Sequence, residues 1–293
     1  MSLTPEQLEQ WERDGYLALP DFLSQDEVQK LLGRTHELLD AFDPASHPLT
    51  AFKTGRQDGE HVGDDYFLNS GDKIRYFLEP SALSEAKDGE PPKLLYPPAR
   101  SINKIGHGLL ADPVFREVTT SDKVKDVARS LQGNIKEPRV LQTMIICKQP
   151  RIGGVELTPV PCHNDSTFLY TDPPSAIGCW IALEDCTPEN GCLAKVHTRF
   201  VRSPNGGTEF EPVPGVEKGE EDWDKMDGWK EVPVKAGTAV LIHGSVMHRS
   251  PPNPSEKTRM IYTFHMIDGA EGIKYDEKNW LQPGPEGFHA LLA

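Results

Sequence analysis

Two side chains that could bind a metal ion lie one residue apart in the segment PCHNDSTFLY, where Asp165 follows His163. On a β-strand, residues i and i+2 project from the same face, so both side chains would point the same way. An imidazole nitrogen and a carboxylate oxygen are ligands that many first-row transition metals accept. The pair alone is a weak signal, because short motifs of this kind often occur by chance.

A third ligand is available in the segment GTAVLIHGSVMHRS, which contains His243 and His248. One of these imidazoles would complete a set of two histidines and one carboxylate. Such a set leaves three of six octahedral positions open and is typical of non-haem Fe(II) oxygenases. The segment alone does not choose between the two histidines.

Arg259 lies eleven residues after His248, at the start of the strand-like segment RMIYTFHMI, and this favours His248 as the third ligand. A guanidinium inside a barrel requires a carboxylate, which its planar fork binds through two hydrogen bonds. The sequence offers no obvious acidic partner, so we expect the carboxylate of a ligand. An ion pair with an Asp or Glu of another strand is the alternative.

The elements that would position these residues are mostly short strands. Runs rich in β-branched and aromatic residues and bounded by Gly and Pro predict antiparallel strands in RVLQTMIICKQ, SAIGCWIALED, GTAVLIHG and RMIYTFHMI. Thr4 with Gln7, and Ser24 with Glu27, are capping-box pairs that predict two helices around the strand YLALPDF. The segment SDKVKDVARSLQG predicts a further helix. We therefore predict a mainly β fold, a double-stranded β-helix (jelly-roll, cupin-like) barrel with flanking N-terminal α-helices.

The domain organisation that we expect is one domain over residues 1–293. Residues 1–45 would be its helical N-terminal segment, and residues 101–293 would form the barrel with insertions. Residues 46–100 are rich in Asp, Gly, Pro and Lys and predict a lid-like loop region, since long loops on compact domains are commonly functional.

The composition argues against several classes of partner. The chain has 45 acidic and 31 basic residues and a formal charge of −14, so it lacks the basic footprint that nucleic acid requires. No apolar run approaches the roughly 20 residues that span a bilayer, and the first residues lack a secretory pattern. We expect a cytoplasmic protein without a membrane or nucleic-acid partner. Its five cysteines have no Cys-x-x-Cys spacing, which argues against a zinc ribbon or a disulfide scaffold.

The combination of His163, Asp165, His248 and Arg259 resembles the pattern of the phytanoyl-CoA dioxygenase family of Fe(II)/2-oxoglutarate oxygenases. The segment DGYLALPDFLSQDEV is similar to the start of that family's domain. One group of that family, the phytanoyl-CoA dioxygenase domain-containing proteins, has segments similar to DYFLNSGDKIRYF, SINKIGHGL, FLYTDP, WIALEDCTPENGCL and NWLQP of this chain. The likeness extends over nearly the whole chain and is far more specific than any single motif.

The resemblance implies roles for these residues in an enzyme that hydroxylates a C–H bond of a small-molecule substrate. His163, Asp165 and His248 would bind Fe(II). Arg259, supported by the hydroxyl of Ser250, would bind the far carboxylate of 2-oxoglutarate, whose other end chelates the iron. The implied cofactors are Fe(II), 2-oxoglutarate and O2, with ascorbate as an optional reductant, and the protein would be a monomer or a weak homo-oligomer.

The resemblance also implies a co-substrate pocket that is lined by Lys104, Met144, Trp180 and Asn164. Lys104 would add positive charge for a dianion. Met144 and Trp180 would exclude water from the pocket.

Two segments depart from the family pattern. After ENGCL the family continues with an apolar strand and a Pro-Gly-Ser-His turn, whereas this chain reads AKVHTRFVRSPNGG, and His197 is not assigned to iron. The segment GGVELTPVPCH before the metal ligands is also unusually long. Both departures affect the expected substrate pocket and leave the iron ligands in place. The presence of Asp165 argues against a halogenase, which would vacate that ligand for a halide.

Two other functions are compatible with part of the pattern. A metal-binding jelly-roll module without oxygenase activity would keep the three ligands. A cupin-type metal isomerase or hydrolase would also keep them but would have no use for Arg259.

Overall fold

The computed structural model describes residues 1–49, 65–85, 92–152, 160–196, 201–202, 208–209 and 229–292. Its helices are α1 Pro5–Asp14, α2 Gln25–Asp40, α3 Asp65–Leu68, α4 Pro113–Thr119 and α5 Asp122–Ser130. Its strands are β1 Tyr16–Leu19, β2 Ile74–Leu78, β3 Ile102–His107, β4 Pro138–Lys148, β5 Val160–His163, β6 Thr171–Asp172, β7 Ile177–Ala182, β8 Leu193–Val196, β9 Val201–Arg202, β10 Thr208–Glu209, β11 Lys230–Val232, β12 Ala239–His243, β13 Met247–Ser250, β14 Arg259–Asp268, β15 Lys274–Tyr275 and β16 His289–Ala290. Among these elements, no helix combines the length and the apolar character that crossing a bilayer requires.

The N-terminal segment folds as its capping residues predict. Thr4 and Ser24 each cap a helix through a reciprocal pair of hydrogen bonds, with Gln7 for α1 and with Glu27 for α2. The αL residue Gly15 ends α1 (φ 64°), and its carbonyl accepts a hydrogen bond from the last strand residue of β12. The first helix is thereby tied to the sheet.

The larger sheet contains the four strands that the sequence predicts. Its order is β1-β12-β7-β14-β4-β3-β2, and β16 pairs with β4. All of its pairings are antiparallel. One expectation is wrong: residues 74–78 lie in the region expected to be loop, yet Ile74–Leu78 forms the edge strand β2. Their β-branched and aromatic side chains pair with β3, which outweighs the polar composition of the flanking sequence.

A smaller sheet with the order β11-β8-β13-β5 faces the larger one. The two sheets share one apolar cluster, to which the larger sheet contributes Trp180, Val240 and Ile261 and the smaller sheet contributes Leu193 and Val232. Two antiparallel sheets that pack their inner faces together form the predicted jelly-roll barrel.

The outer face of the larger sheet is covered by the helices. Tyr262 and Phe264 of β14 belong to the same buried cluster as Trp11, Leu31 and Phe115 of the helices. Because side chains alternate along a strand, Thr263 between them faces the interior of the barrel, and so does Arg259. The helical layer therefore determines which side chains of β14 reach the site.

The turn that carries Asp165 is held against the end of β12. Gly244 accepts a hydrogen bond from the Ser166 amide (2.9 Å) and donates one to the Ala176 carbonyl (2.7 Å). A Cβ atom at residue 244 would lie 2.4 Å from Ser166 Oγ and 2.8 Å from Ala176 Cβ. Only glycine allows this close approach of the two chain segments.

We expect Gly244→Ala to lower the free energy of unfolding by about 1–3 kcal/mol, as overpacking commonly does. Urea denaturation measures this change. The control is Gly33→Ala in α2, where a Cβ would meet nothing within 4 Å. That control should be neutral or stabilise the protein by up to about 1 kcal/mol. Equal unfolding midpoints for Gly244→Ala and the wild type would contradict the close approach.

Candidate metal centre

Three possible metal ligands converge at one end of the smaller sheet. His163, Asp165 and His248 each offer one ligand atom, and these atoms lie within 4.8 Å of one another. Asp165 Oδ1 is 3.7 Å from His248 Nε2 and 3.9 Å from His163 Nε2. These distances suit donor atoms that surround a single cation.

The pairing of β13 with β5 brings the two imidazoles together. His248 is the direct cross-strand partner of His163, and their ring centroids are 4.3 Å apart. Directly opposite residues of an antiparallel pair have their Cβ atoms about 5 Å apart, so both side chains can reach one ion. The structure does not bring His243 to this cluster: its ring packs near Trp11, with centroids 5.8 Å apart.

Asp165 reaches the cluster by a different route from the one that the sequence suggests. Strand β5 ends at His163, and residues 165–167 form a 3₁₀ turn, so the expected strand does not include Asp165. Asn164 keeps an extended backbone (φ −128°, ψ 152°), which preserves the i, i+2 relation. Its side-chain oxygen accepts from the Thr167 amide (3.0 Å), and this cap starts the turn. The amide of Asn164 thus stabilises the backbone of the site, and its predicted contact with a co-substrate stays a prediction.

The carboxyl group of Asp165 is held in its charged form. Burial alone would raise its pKa, but His248, His265 and His163 lower the pKa well below the ordinary value. A carboxylate with a depressed pKa stays ionised until the pH falls through that low value. The site therefore keeps a negative ligand over the physiological pH range.

Arg259 lies at the start of β14 and is 2% exposed. Its Nη2 donates to Ser250 Oγ (3.0 Å), and its Cζ lies 5.8 Å from the centre of the Trp180 ring. Its Nε is buried without a hydrogen-bond partner, and the arginine ion pairs of the described ranges do not include it. Burial lowers the pKa of Arg259. The alternative of an ion pair with another strand is not realised in the described part of the chain.

Lys148 is a residue of this region that the sequence reasoning missed. It lies opposite Arg259 in the register of β4 and β14. Its Nζ donates to the Ser250 carbonyl (2.9 Å), to Ser250 Oγ (2.8 Å) and to the Pro251 carbonyl. Burial, followed by repulsion from Arg259, lowers its pKa to about 6. A lysine at the end of a predicted strand is commonly a surface residue, and the signal that identifies it is the cross-strand register.

The other predicted pocket residues lie on neighbouring strands. Met144 of β4 and Trp180 of β7 both pair with Thr263 of β14, which is four residues from Arg259 and on the same face of the strand. Lys104 of β3 pairs with Ile146 and is buried. Burial lowers the pKa of Lys104 to about 7, which nearby Glu79 partly offsets. The structure thus brings the predicted basic and apolar residues to one side of the larger sheet.

His265 is a second residue that the sequence reasoning missed. Its Nε2 lies 3.4 Å from Asp165 Oδ2, and both side chains are buried. Its spacing from Arg259 along one strand was an available signal, because residues at even separations face one side. The segment at residues 153–159 and His197, where the sequence departs from the family pattern, lie outside the described residues.

Similarity to known proteins extends over most of the chain. The family model "Phytanoyl-CoA dioxygenase (PhyH)" matches residues 11–261. The chain is 43% identical over 297 residues to phytanoyl-CoA dioxygenase domain-containing protein 1 of Bos taurus, covering 97% of this chain and 96% of that protein. It is 39% identical over 301 residues to phytanoyl-CoA dioxygenase of Arabidopsis thaliana, covering 99% and 98%.

Solved structures share the fold at low sequence identity. EctD from S. alaskensis superposes with a TM-score of 0.63 at 19% identity, over 99% of this chain and 87% of that one. The non-haem α-ketoglutarate-dependent carbocyclase SnoK from nogalamycin biosynthesis gives a TM-score of 0.62 at 18% identity, over 93% and 86%. The match to the family model and the identity to its members confirm the sequence resemblance: the chain belongs to the phytanoyl-CoA dioxygenase (PhyH) family.

Proposed function

We propose that this protein is an Fe(II)- and 2-oxoglutarate-dependent dioxygenase that hydroxylates a C–H bond of a small-molecule substrate. The observation that carries the proposal is Arg259. It is a buried guanidinium with an unpartnered Nε among the described residues, and it lies near a cluster of two histidines and one carboxylate. A buried cation of this kind requires an anion, and the described residues pair no carboxylate with it.

His163, Asp165 and His248 would hold the iron. Two imidazoles and one carboxylate fit Fe(II) and leave coordination positions for further ligands. A structural zinc site has four protein ligands, so it would need a further Cys or His. The cluster found among the described residues has three members. The donor set thus supports a catalytic metal centre.

Arg259 would bind the far carboxylate of 2-oxoglutarate. Arg259 contacts Ser250, which is two residues from His248 along β13. Two strand steps span about 7 Å, a distance that a five-carbon diacid can bridge. Lys104 would add positive charge, while Met144 and Trp180 would restrict water.

When bound, Fe(II) and 2-oxoglutarate supply the activation of O2, with succinate and CO2 as co-products. The contribution of this chain is placement and exclusion of water. Arg259 orients the co-substrate, the ionised Asp165 offsets the charge of the metal, and Trp180 and Met144 cover the interior. A buried, preorganised site of this kind would keep the substrate C–H bond close to the reacting centre.

The first prediction from the proposed function concerns the metal ligands. Anaerobic addition of Fe(II) and 2-oxoglutarate to the wild type should produce a visible charge-transfer band, because the keto and C1 carboxylate oxygens of 2-oxoglutarate would both bind the metal. His248→Ala should lose the band. The control His36→Ala alters an exposed histidine of α2 and should keep it. A wild-type protein without the band would contradict the proposed centre.

The second prediction concerns Arg259. Arg259→Ala should weaken the binding of 2-oxoglutarate by about 30-fold or more, since removing one partner of a buried charge pair costs roughly 2–5 kcal/mol. The affinity of Arg259→Lys for 2-oxoglutarate should lie between those of the wild type and Arg259→Ala, because lysine keeps the charge and loses the planar fork. Titration of the charge-transfer band measures the affinity. Circular dichroism checks that each variant is folded.

The matched control for Arg259 is Arg151→Ala. Arg151 is an exposed arginine that pairs with Glu256 (2.6 Å), and its loss should leave the affinity for 2-oxoglutarate unchanged. Unaltered binding of 2-oxoglutarate by Arg259→Ala would show that its carboxylate partner is not the co-substrate.

The third prediction separates an oxygenase from a metal-binding module. With Fe(II), ascorbate and air, the wild type should convert 2-oxoglutarate to succinate slowly on its own. The rate should rise when the small molecule that the enzyme hydroxylates is added. Asp165→Ala should abolish both rates, because the metal loses its anionic ligand. Succinate is measured by mass spectrometry. Absence of succinate from an Fe(II)-loaded wild type that binds 2-oxoglutarate would favour the module.

A further inference from the structure

The two oxygen atoms of the Asp165 carboxylate face different partners. Oδ1 lies 3.7 Å from His248 Nε2 and 3.9 Å from His163 Nε2. Oδ2 lies 3.4 Å from Nε2 of His265, on β14 of the opposite sheet. The carboxylate therefore contacts the two imidazoles of the proposed metal centre through one oxygen and a third imidazole through the other.

Gly178 makes room for this second contact. It pairs with His265 across β7 and β14. A Cβ atom at residue 178 would lie 3.2 Å from Asp165 Oδ2 and 3.5 Å from His265 Nε2. A glycine here lets the carboxylate and the imidazole approach each other over the strand backbone, in a place where a larger side chain would separate them.

The contacts of His265 also decide which ring nitrogen carries the proton. An ionised carboxylate only accepts hydrogen bonds, so Nε2 must donate to it. The other nitrogen, Nδ1, is buried without a partner among the described residues, and no acceptor there competes for the proton. His265 therefore presents Nε2–H to Asp165.

We propose that His265 is a positioning residue that holds Oδ2 of Asp165, so that the carboxylate offers the metal Oδ1 alone. This inference rests on the proposed function. A carboxylate that bound the metal through both oxygens would occupy one more coordination position, at the expense of co-substrate or O2. Hydrogen bonds from outer residues to metal-ligating groups fix their orientation in this way.

The test compares the binding of Co(II), as the probe metal, by the wild type and by two variants of His265, under nitrogen and without substrate. His265→Phe keeps a ring of similar shape and removes the N–H. We expect it to weaken Co(II) binding by about 10- to 100-fold, the loss that follows removal of an outer hydrogen bond. His265→Gln retains an N–H donor and should recover most of the affinity. Visible absorption titration gives the affinity, and the intensity of the Co(II) bands should change in the Phe variant, because it depends on coordination geometry.

The control is His107→Phe. His107 is another buried histidine, whose Nδ1 is 2.7 Å from Ser70 Oγ and whose ring packs against Phe67 and Phe77. The His107→Phe variant should bind Co(II) with the affinity of the wild type. The melting temperatures of the metal-free variants show whether each one folds.

The outcomes separate the positioning role from the proposed function. Wild-type affinity and an unchanged spectrum in His265→Phe would overturn the role of His265 and leave the metal site intact. An equal loss of affinity in His107→Phe, or no recovery in His265→Gln, would also overturn it, since the effect would then come from packing. A wild-type protein that binds no Co(II) would overturn the proposed function itself.

Discussion

The antiparallel pairing of β13 with β5 is the constraint on which the site depends. It sets His248 directly opposite His163. Strand β5 is followed by the turn that carries Asp165, and β13 ends with Ser250. A one-residue slip of either strand would turn its imidazole to the other face of the sheet, away from the imidazole of the partner strand. The hydrogen bonds of Gly244 with the 166–176 segment hold the turn that follows β5. The ligand geometry is thus a property of the register and of one glycine contact.

The interior near this register carries more positive charge than an apolar barrel can easily accommodate. Arg259, Lys148 and Lys104 are all buried, in a chain whose formal charge is −14. Burial lowers the pKa of each of them, and repulsion from Arg259 contributes for Lys148. Such groups destabilise the fold unless a partner of opposite charge is present. A dianionic ligand would relieve this cost, which links its binding to the stability of the barrel.

The sequence predicted four strands of the larger sheet and the capped helices α1 and α2, because each depends on a local pattern of side chains. His163 and Asp165 were recognisable as neighbours, and Arg259 by its distance from His248. The turn at Asp165, Lys148 and His265 were not predicted. The turn depends on the local cap by Asn164, whereas the other two depend on what lies across the barrel: the β4–β14 register and the approach of β14 to Asp165 at Gly178. The spacing along β14 shows that His265 shares a face with Arg259, but the contact with Asp165 is a matter of cross-strand geometry.

Ser250 illustrates how a predicted residue can act through others. Its hydroxyl donates to the Gly191 carbonyl (2.7 Å) and accepts from Lys148 Nζ (2.8 Å) and Arg259 Nη2 (3.0 Å). A hydroxyl has one hydrogen, so in this arrangement none is left for a carboxylate. Its support for a bound diacid would therefore be indirect, through its contacts with the guanidinium of Arg259 and the ammonium group of Lys148. A Cβ at Gly191 would lie 2.4 Å from the Pro251 carbonyl, so glycine is needed at the position that receives this hydrogen bond. The chain segment after Asn190 thus fixes Ser250, and through it Arg259, by a backbone contact.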